Sequence, residues 1–479
     1  MKAPPPGPRK RGVGAAALAM AVAALAAGAL LARPRATATA RDEAVVPSAA
    51  PAAAAAACAA DPAALRAANA ALAPLLAELV STPFFRHFKV KLGGECPFWA
   101  DDGQCSLADC AVCECAPGDV PPRLARECEE RGAAPDVLGA CPALADPAVD
   151  RGGADAARLV AVPGWKGLDN PWMATDDDGD AAATPYSVID LAKNVERYTG
   201  YKGEHARRVW GFIYRQDCFD GADGDEARAA SSALSPSCDP VKRLFYRVMS
   251  GVHASITAHL ADEYLVDAHA GAWGPNLALF ADRLGAPAHA GRVANLHFAY
   301  AFVARALHRA GPLLAAADYD DGGPSRGADE AALARELASH PALAALCAEP
   351  FDGALPGAGG GRERLQAAFR NVTAAMDCVG CEKCRLWGKL QVLGVASSLK
   401  VLLADGGGRG GAGAGDMAQP ALTLERNEAV ALVNLADRLA RSVEIVGRLQ
   451  ARLDAGEVPA APVGDAAGGH DRLAAALGF

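Results

Sequence analysis

At 479 residues the chain is long enough to bury a sizeable core in one large domain or two to three ordinary ones. Lys and Arg number 47 against 56 Asp and Glu, a net charge of −9 with the basic residues scattered, which argues against a surface that tracks nucleic-acid phosphates. The 14 cysteines are too sparse for a small disulfide scaffold, yet they are even in number and clustered, so cysteine chemistry is the place to look for function.

Lys2, Arg9, Lys10 and Arg11 form a basic start, followed by an uncharged, alanine-dominated stretch from Gly12 to Ala32 that Arg33 closes. Residues 1–35 therefore read as a signal peptide or signal anchor, of spanning length but marginal transfer free energy. The triplets Ala36-Thr37-Ala38 and Ala38-Thr39-Ala40 offer cleavage sites, and an organellar transit peptide is the alternative because no acidic residue precedes Asp42. Residues 36–61 are an Ala/Pro-rich linker with too little apolar bulk to order itself. Helical spacing of Leu65, Leu72, Leu75, Leu76 and Leu79 predicts a first helix starting near Pro62 and ending before Pro83.

Further on, Asp176-Asp177-Asp178-Gly179-Asp180 reads as a solvated loop, and the Gly-rich stretches 353–361 and 406–415 as flexible insertions. Gly406, Gly408 and Gly411 match a dinucleotide fingerprint, but no strand precedes them and the match is compositional. Helical periodicity governs Ala254 to Leu265, Leu386 to Leu403, and a stripe of Leu432, Leu435, Leu439, Val443, Val446 and Leu453 behind a candidate cap at Asn427. Strand alternation is scarce. The predicted fold is mainly α, a single large helical domain over residues 62–457 with long cysteine-bearing loops and a flexible tail at 458–479.

The strongest feature is Cys378-Val-Gly-Cys381-Glu-Lys-Cys384 at the start of a helical run. A helix N-terminus and Lys383 stabilise a thiolate there, which makes Cys381 and Cys384 a redox couple, while Cys378 pairs elsewhere. A second cluster holds Cys96, Cys105, Cys110, Cys113, Cys115 and Cys128. Cys105, Cys110 and Cys113 carry the opening spacing of a plant-type [2Fe–2S] site, so metal or cluster binding and purely structural disulfides stand as alternatives. Cys218 and Cys238 bracket an acidic, Ser-rich loop and read as a local bridge, which contributes about 3 kcal/mol in the chain-entropy model. A dithiol passes on two electrons and needs an acceptor. Arg197 with its Tyr-Thr-Gly-Tyr-Lys-Gly turn, Trp210, the Ser250 to His253 segment, Arg283 and Arg292 are candidates to hold one, arginines suiting a pyrophosphate and aromatic rings a flavin or adenine.

Taken together, Cys96-Pro-Phe-Trp…Cys105…Cys110-Ala-Val, Asp190-Leu…Asn194…Glu196-Arg-Tyr-Thr-Gly-Tyr-Lys-Gly203, Phe245-Tyr-Arg…Ser250-Gly-Val-His-Ala-Ser255 and Met376-Asp-Cys-Val-Gly-Cys-Glu-Lys-Cys-Arg-Leu-Trp-Gly-Lys-Leu390 resemble the endoplasmic reticulum oxidoreductins from about Pro83 to Leu453. The resemblance implies an FAD-dependent thiol oxidase of the endoplasmic reticulum lumen that reoxidises protein disulfide isomerase and passes electrons to O2, making H2O2. It implies Cys381 and Cys384 as the flavin-proximal disulfide, Cys105 and Cys110 as a shuttle pair on a mobile loop of about residues 96–128, and Arg197, Thr199, Trp210, Ser250, His253, Arg283 and Arg292 as FAD contacts. Cys96 would bond Cys378 and Cys218 would bond Cys238. Cys128, paired with Cys105, and Cys115, receiving Cys110, would be regulatory partners. Asn371 opens a glycosylation sequon, and no metal is expected. Three features depart from the family: Cys58 alone stands upstream of the first helix, Cys113 is an extra thiol, and the Ala-rich start fits a membrane-anchored member. The rival reading is a secreted, disulfide-stabilised binding protein without turnover.

Overall fold

The computed structural model describes residues 62–99, 110–124, 159–160, 170–173, 186–197, 203–216, 240–267, 270–321, 323–346, 360–404 and 422–457. Contacts divide the chain into Met1–Ser48 and Ala49–Phe479, and every described residue belongs to the second unit. The expectations for residues 1–35, 36–61 and 458–479, the Asp-rich loop and the 406–415 stretch lie outside the described residues, as does 353–359.

Eight helices carry the argument: α1 (Pro62–Ser81), α2 (Gly203–Arg215), α3 (Pro240–Asp262), α4 (Ala290–Ala316), α5 (Ala328–Ser339), α6 (Gly361–Ala375), α7 (Glu382–Leu403) and α8 (Arg426–Asp454). Two short antiparallel ladders accompany them, β1 (His87–Val90) with β2 (Ser187–Asp190) and β3 (Tyr264–Asp267) with β4 (Ala272–Gly274). The mainly α expectation holds. The apolar run from Ala254 does not stay helical to Leu265, however. Helix α3 ends at Asp262 and Leu265 belongs to β3, because a short apolar run has no periodicity that separates the two states.

Helix α8 is the hub, packed by α1, α3, α4 and α7. It is buried from Arg426 to Ala440, so a single apolar stripe is not enough and its polar residues need internal partners. Arg426 donates to the carbonyls of Phe84 and His87 and lies over the Phe84 ring. Lys400 on α7 pairs with Glu428 at 2.8 Å, and Arg438 pairs with Glu196 at 2.7 Å. Asn427 is not the cap. Glu425 is, through a reciprocal capping box with Glu428, and Asn427 instead donates to the Lys89 carbonyl at 2.7 Å, tying α8 to β1.

Two glycines permit the closest crossings. A Cβ at Gly251 of α3 would stand 2.3 Å from the Asn295 carbonyl oxygen of α4, and one at Gly394 of α7 would stand 2.7 Å from the Ala431 oxygen of α8. Close approach at Gly251 lets Asn295 donate to the Ser250 hydroxyl at 3.1 Å. Helices α1 and α7 are long and apolar enough to cross a membrane, but α7 is mostly buried as a core helix and α1 lays Leu72, Leu76 and Leu79 into the core.

Candidate active site

Cys381 caps the N-terminus of α7, its sulfur 3.4 Å from the Cys384 amide. A sulfur held there faces the positive end of the helix dipole, which favours the thiolate whenever the bond to it opens. Cys381 is bonded to Cys110, and Cys384 is a buried thiol. The pairing of Cys381 with Cys384 is therefore not the one present, because a cysteine holds one disulfide at a time. All three sulfurs lie within 4.8 Å of one another. Cys96 is bonded to Cys378, just ahead of this cluster.

Cys110 arrives on a docked segment. Glu114 bridges Ile189 of β2 in antiparallel register, and the Cys115 amide donates to the Val188 carbonyl at 2.9 Å. Residues Pro117–Asp119 then form a 3-10 turn. That flank is held by Lys193 on Asp119 at 3.0 Å and by Ser187 on Glu114 at 2.7 Å. Because Cys110 is engaged by Cys381, Cys115 is a thiol here and not a disulfide partner. Burial, with Asp190 nearby, pushes the Cys115 thiol above its ordinary pKa.

The candidate cofactor residues come from α2, α3, α4 and the turn ahead of α4, with Arg197 on a separate segment. Trp210 of α2 stacks on His253 of α3 with ring centroids 3.8 Å apart and 7° between planes, and the Tyr214 hydroxyl is 2.7 Å from His253 Nδ1. Burial, then the charges of Arg292 and Arg283, hold His253 well below the ordinary imidazole pKa, so it is neutral. Arg283 lies in the π-helical turn Ala281–Gly285, and Arg292 of α4 donates to its carbonyl at 3.1 Å. Arg197 lies over the Trp273 ring of β4, 4.4 Å from its centroid. Two guanidiniums, a serine hydroxyl and a flat Trp–His face are the chemistry that a dinucleotide requires, so the residues present fit FAD. The stacked pair leaves no slot between its rings. It presents one composite face.

A family model described as Endoplasmic Reticulum Oxidoreductin 1 (ERO1) matches residues 71–446. The chain belongs to this family of endoplasmic reticulum oxidoreductins. Endoplasmic reticulum oxidoreductin-1 of Arabidopsis thaliana is 41% identical to it over 379 residues, 78% of this chain and 75% of that one. ERO1-like protein alpha of Danio rerio is 33% identical, over 70% of this chain and 74% of its own length. The solved structure titled "Structure of Ero1p, Source of Disulfide Bonds for Oxidative Protein Folding in the Cell" superposes with TM-score 0.53 at 26% identity, over 82% of this chain and 98% of that chain. Membership makes the protein a thiol oxidoreductase, and its relatives are named for the endoplasmic reticulum.

Within this oxidoreductin, Cys105, Cys128, Cys218, Cys238 and Thr199 lie outside the described residues, as do Cys58, Cys141 and Cys347. Asn371 is exposed on α6, its amide donating to Gln216 at 2.8 Å. Sequence reasoning missed Tyr214, Trp273 and Asn295, and gave Asn194 and Trp387 no role beyond the motif. Their spacing carries no signal of chemistry, since the partners they meet are 39 to 193 positions away.

Proposed function

We propose that the protein is an FAD-dependent thiol oxidase of the endoplasmic reticulum lumen that oxidises a protein disulfide isomerase through Cys105 and Cys110. One observation carries this reading: Cys110 bonded to Cys381 with the Cys384 thiol beside them. That is the pairing expected midway through exchange. An isomerase dithiol opens the Cys105–Cys110 bond and leaves as a disulfide, so both shuttle sulfurs become thiols. The Cys110 thiolate then attacks Cys381 of a Cys381–Cys384 disulfide, forming the Cys110–Cys381 bond and releasing Cys384 as thiolate. Cys105 next attacks Cys110, which restores the shuttle disulfide and frees Cys381.

Arg283, Arg292, Ser250, Trp210 and His253 would hold FAD, with Arg197 and Thr199 completing the set. FAD, when bound, supplies a two-electron acceptor that O2 reoxidises to give H2O2. The cationic arginines serve the pyrophosphate, and neutral His253 avoids adding a further buried charge beside them. Residues 1–35 would direct the chain to the lumen and, if retained, anchor it to the membrane. Domain bounds at 62–457, the Cys218–Cys238 bridge, a lock between Cys105 and Cys128, and glycosylation at Asn371 belong to the same proposal.

Oxygen uptake by the purified protein with reduced isomerase tests the reading. Uptake is expected to need added or retained flavin, to vanish in Cys381→Ala, and to weaken in Arg292→Ala through loss of flavin absorbance. A colourless protein that takes up no oxygen after FAD is supplied would return the protein to a non-catalytic binding role.

A further inference from the structure

The strand that brings Cys110 to Cys381 ends its backbone pairing with β2 before it reaches Cys110. Glu114 and Cys115 pair with Ile189 and Val188, and the next rung would fall on Cys113. Asp190, the last residue of β2, faces Cys113 in this register, but its carbonyl accepts from Asn194 Nδ2 at 3.0 Å. The side chain of Asn194 serves Cys113 in its stead. Its Oδ1 accepts from the Cys113 amide at 2.9 Å, and its Nδ2 donates to the Cys113 carbonyl at 2.9 Å. A carboxamide offers one acceptor and two donors, so it serves both polar groups of one residue as a strand would.

Asn194 is itself fixed on two further sides. Asp190 Oδ1 accepts from the amides of Ala192 at 3.0 Å and Lys193 at 3.3 Å, shaping the turn that folds Asn194 back over the strand end. The second Nδ2 bond, to the Asp190 carbonyl at 3.0 Å, closes that turn. The Asn194 carbonyl accepts from the Trp387 indole at 3.0 Å. Trp387 lies on α7, about one helical turn beyond Cys384. Asn194 has no exposed surface, so water does not replace these bonds when one is lost.

We propose that Asn194 is a positioning residue of the relay: its carboxamide docks the Cys110 strand at Cys113 and, through Trp387, sets that strand's register against the helix bearing Cys381 and Cys384. The inference rests on the reading of Cys110–Cys381 as an exchange intermediate. Three peptide units separate the clamp from Cys110, a reach of roughly 10 Å at about 3.5 Å per residue. While the clamp holds, Cys110 stays near Cys381 and their bond forms at a high effective concentration. Opening it lengthens the tether and dilutes Cys110. The Val112 amide on Glu382 Oε2 at 3.4 Å is a second, exposed tie and cannot substitute for the buried one.

The test is the equilibrium yield of the Cys110–Cys381 bond in glutathione buffers, read by peptide mapping of the full-length chain carrying Cys105→Ser and Cys384→Ser. Asn194→Ala is expected to lower the effective concentration about five- to tenfold, and Asn194→Asp to fail to restore it, since a carboxylate accepts from Cys113 but cannot donate to it. Asn434→Ala is the control for mere structural damage. Its amide donates to the Phe85 and Val430 carbonyls in the core, and its loss should lower thermal stability without moving the yield. Should Asn194→Ala fail to fold, Trp387→Phe carries the same test, with a fall of about two- to threefold. A yield within twofold of the parent, or an equal fall in the Asn434 control, overturns the clamp and leaves the relay standing. A parent that forms no Cys110–Cys381 bond beyond that of unlinked thiols overturns the relay and the clamp with it.

Discussion

Among single residues, the sharpest contrast is between Cys384 and the two thiols of the docked strand. Cys384 is buried beside a bonded Cys110–Cys381 pair and is the sulfur released when that bond forms, so Cys384→Ser leaves Cys381 without the disulfide that Cys110 attacks. Cys384→Ser is expected to cut oxygen uptake at least about 100-fold. Uptake within about tenfold of the parent would contradict the order of exchange. Cys113 is exposed, whereas Cys115 packs against Val120, Leu124 and Val188 and its thiol is pushed up in pKa by that burial. Only the thiolate alkylates, so iodoacetamide at neutral pH should label Cys113 at least about tenfold faster than Cys115 in the native protein. Comparable rates would mean that the strand does not stay docked.

At the scale of helices, two glycines make opposite predictions. Gly394 sits where α7 crosses α8, and a methyl group there would meet the Ala431 oxygen and the Leu435 Cβ, each at 2.7 Å. Neither is the end of a flexible side chain. Gly394→Ala should cost about 1–3 kcal/mol by overpacking. Gly447 lies inside α8 with nothing within 4 Å of its added Cβ, so Gly447→Ala should stabilise by about 0.5–1 kcal/mol through backbone entropy alone. Urea unfolding midpoints of the two variants should move in opposite directions. The Lys400–Glu428 pair shows why α8 tolerates buried charge: Glu428 also accepts from Asn170 at 2.9 Å and from its own cap, Glu425. Lys400→Met would leave that carboxylate without its cation, at a cost of about 3–5 kcal/mol.

For the whole molecule, buried histidines set a pH dependence. His253 and His259 are held well below the ordinary imidazole pKa by burial and by neighbouring arginines, and His297 is lowered to about 4 by burial and Arg66. Below about pH 6.5 the unfolded chain protonates these three rings while the folded protein does not, so the unfolded state binds more protons. Stability therefore falls as pH drops from about 6.5 towards about 4, with no contribution from these groups above that window. Asp437 acts oppositely: burial raises its pKa, so stability from that group increases as pH falls through the raised value. Three rings outweigh one carboxyl. The urea midpoint is expected to be flat from pH 8 to 7 and to decline between pH 6.5 and 5, and a rise over that lower interval would contradict the burial of these histidines.

The sequence by itself determined the mainly helical class, because the period of apolar residues in Leu386 to Leu403 and Leu432 to Val446 is a local property that needs no partner to be read. It also marked Cys381 and Cys384, since a C-x-x-C pair at a helix start carries its chemistry in its own spacing. The Cys96–Cys378 link came with the family resemblance and not from spacing, the two cysteines being 282 positions apart. Only the tertiary structure decided which sulfur Cys381 holds, that Trp210 and His253 share one face, that Glu425 and not Asn427 caps α8, and that Asn194 joins Cys113 to the Asp190 carbonyl at the end of β2. Each of these depends on groups distant in sequence competing for one partner or one space: a sulfur bonds once, an amide faces one carbonyl, and two rings in contact admit nothing between them. Such competition is settled by the packing of the whole chain, which no local pattern records.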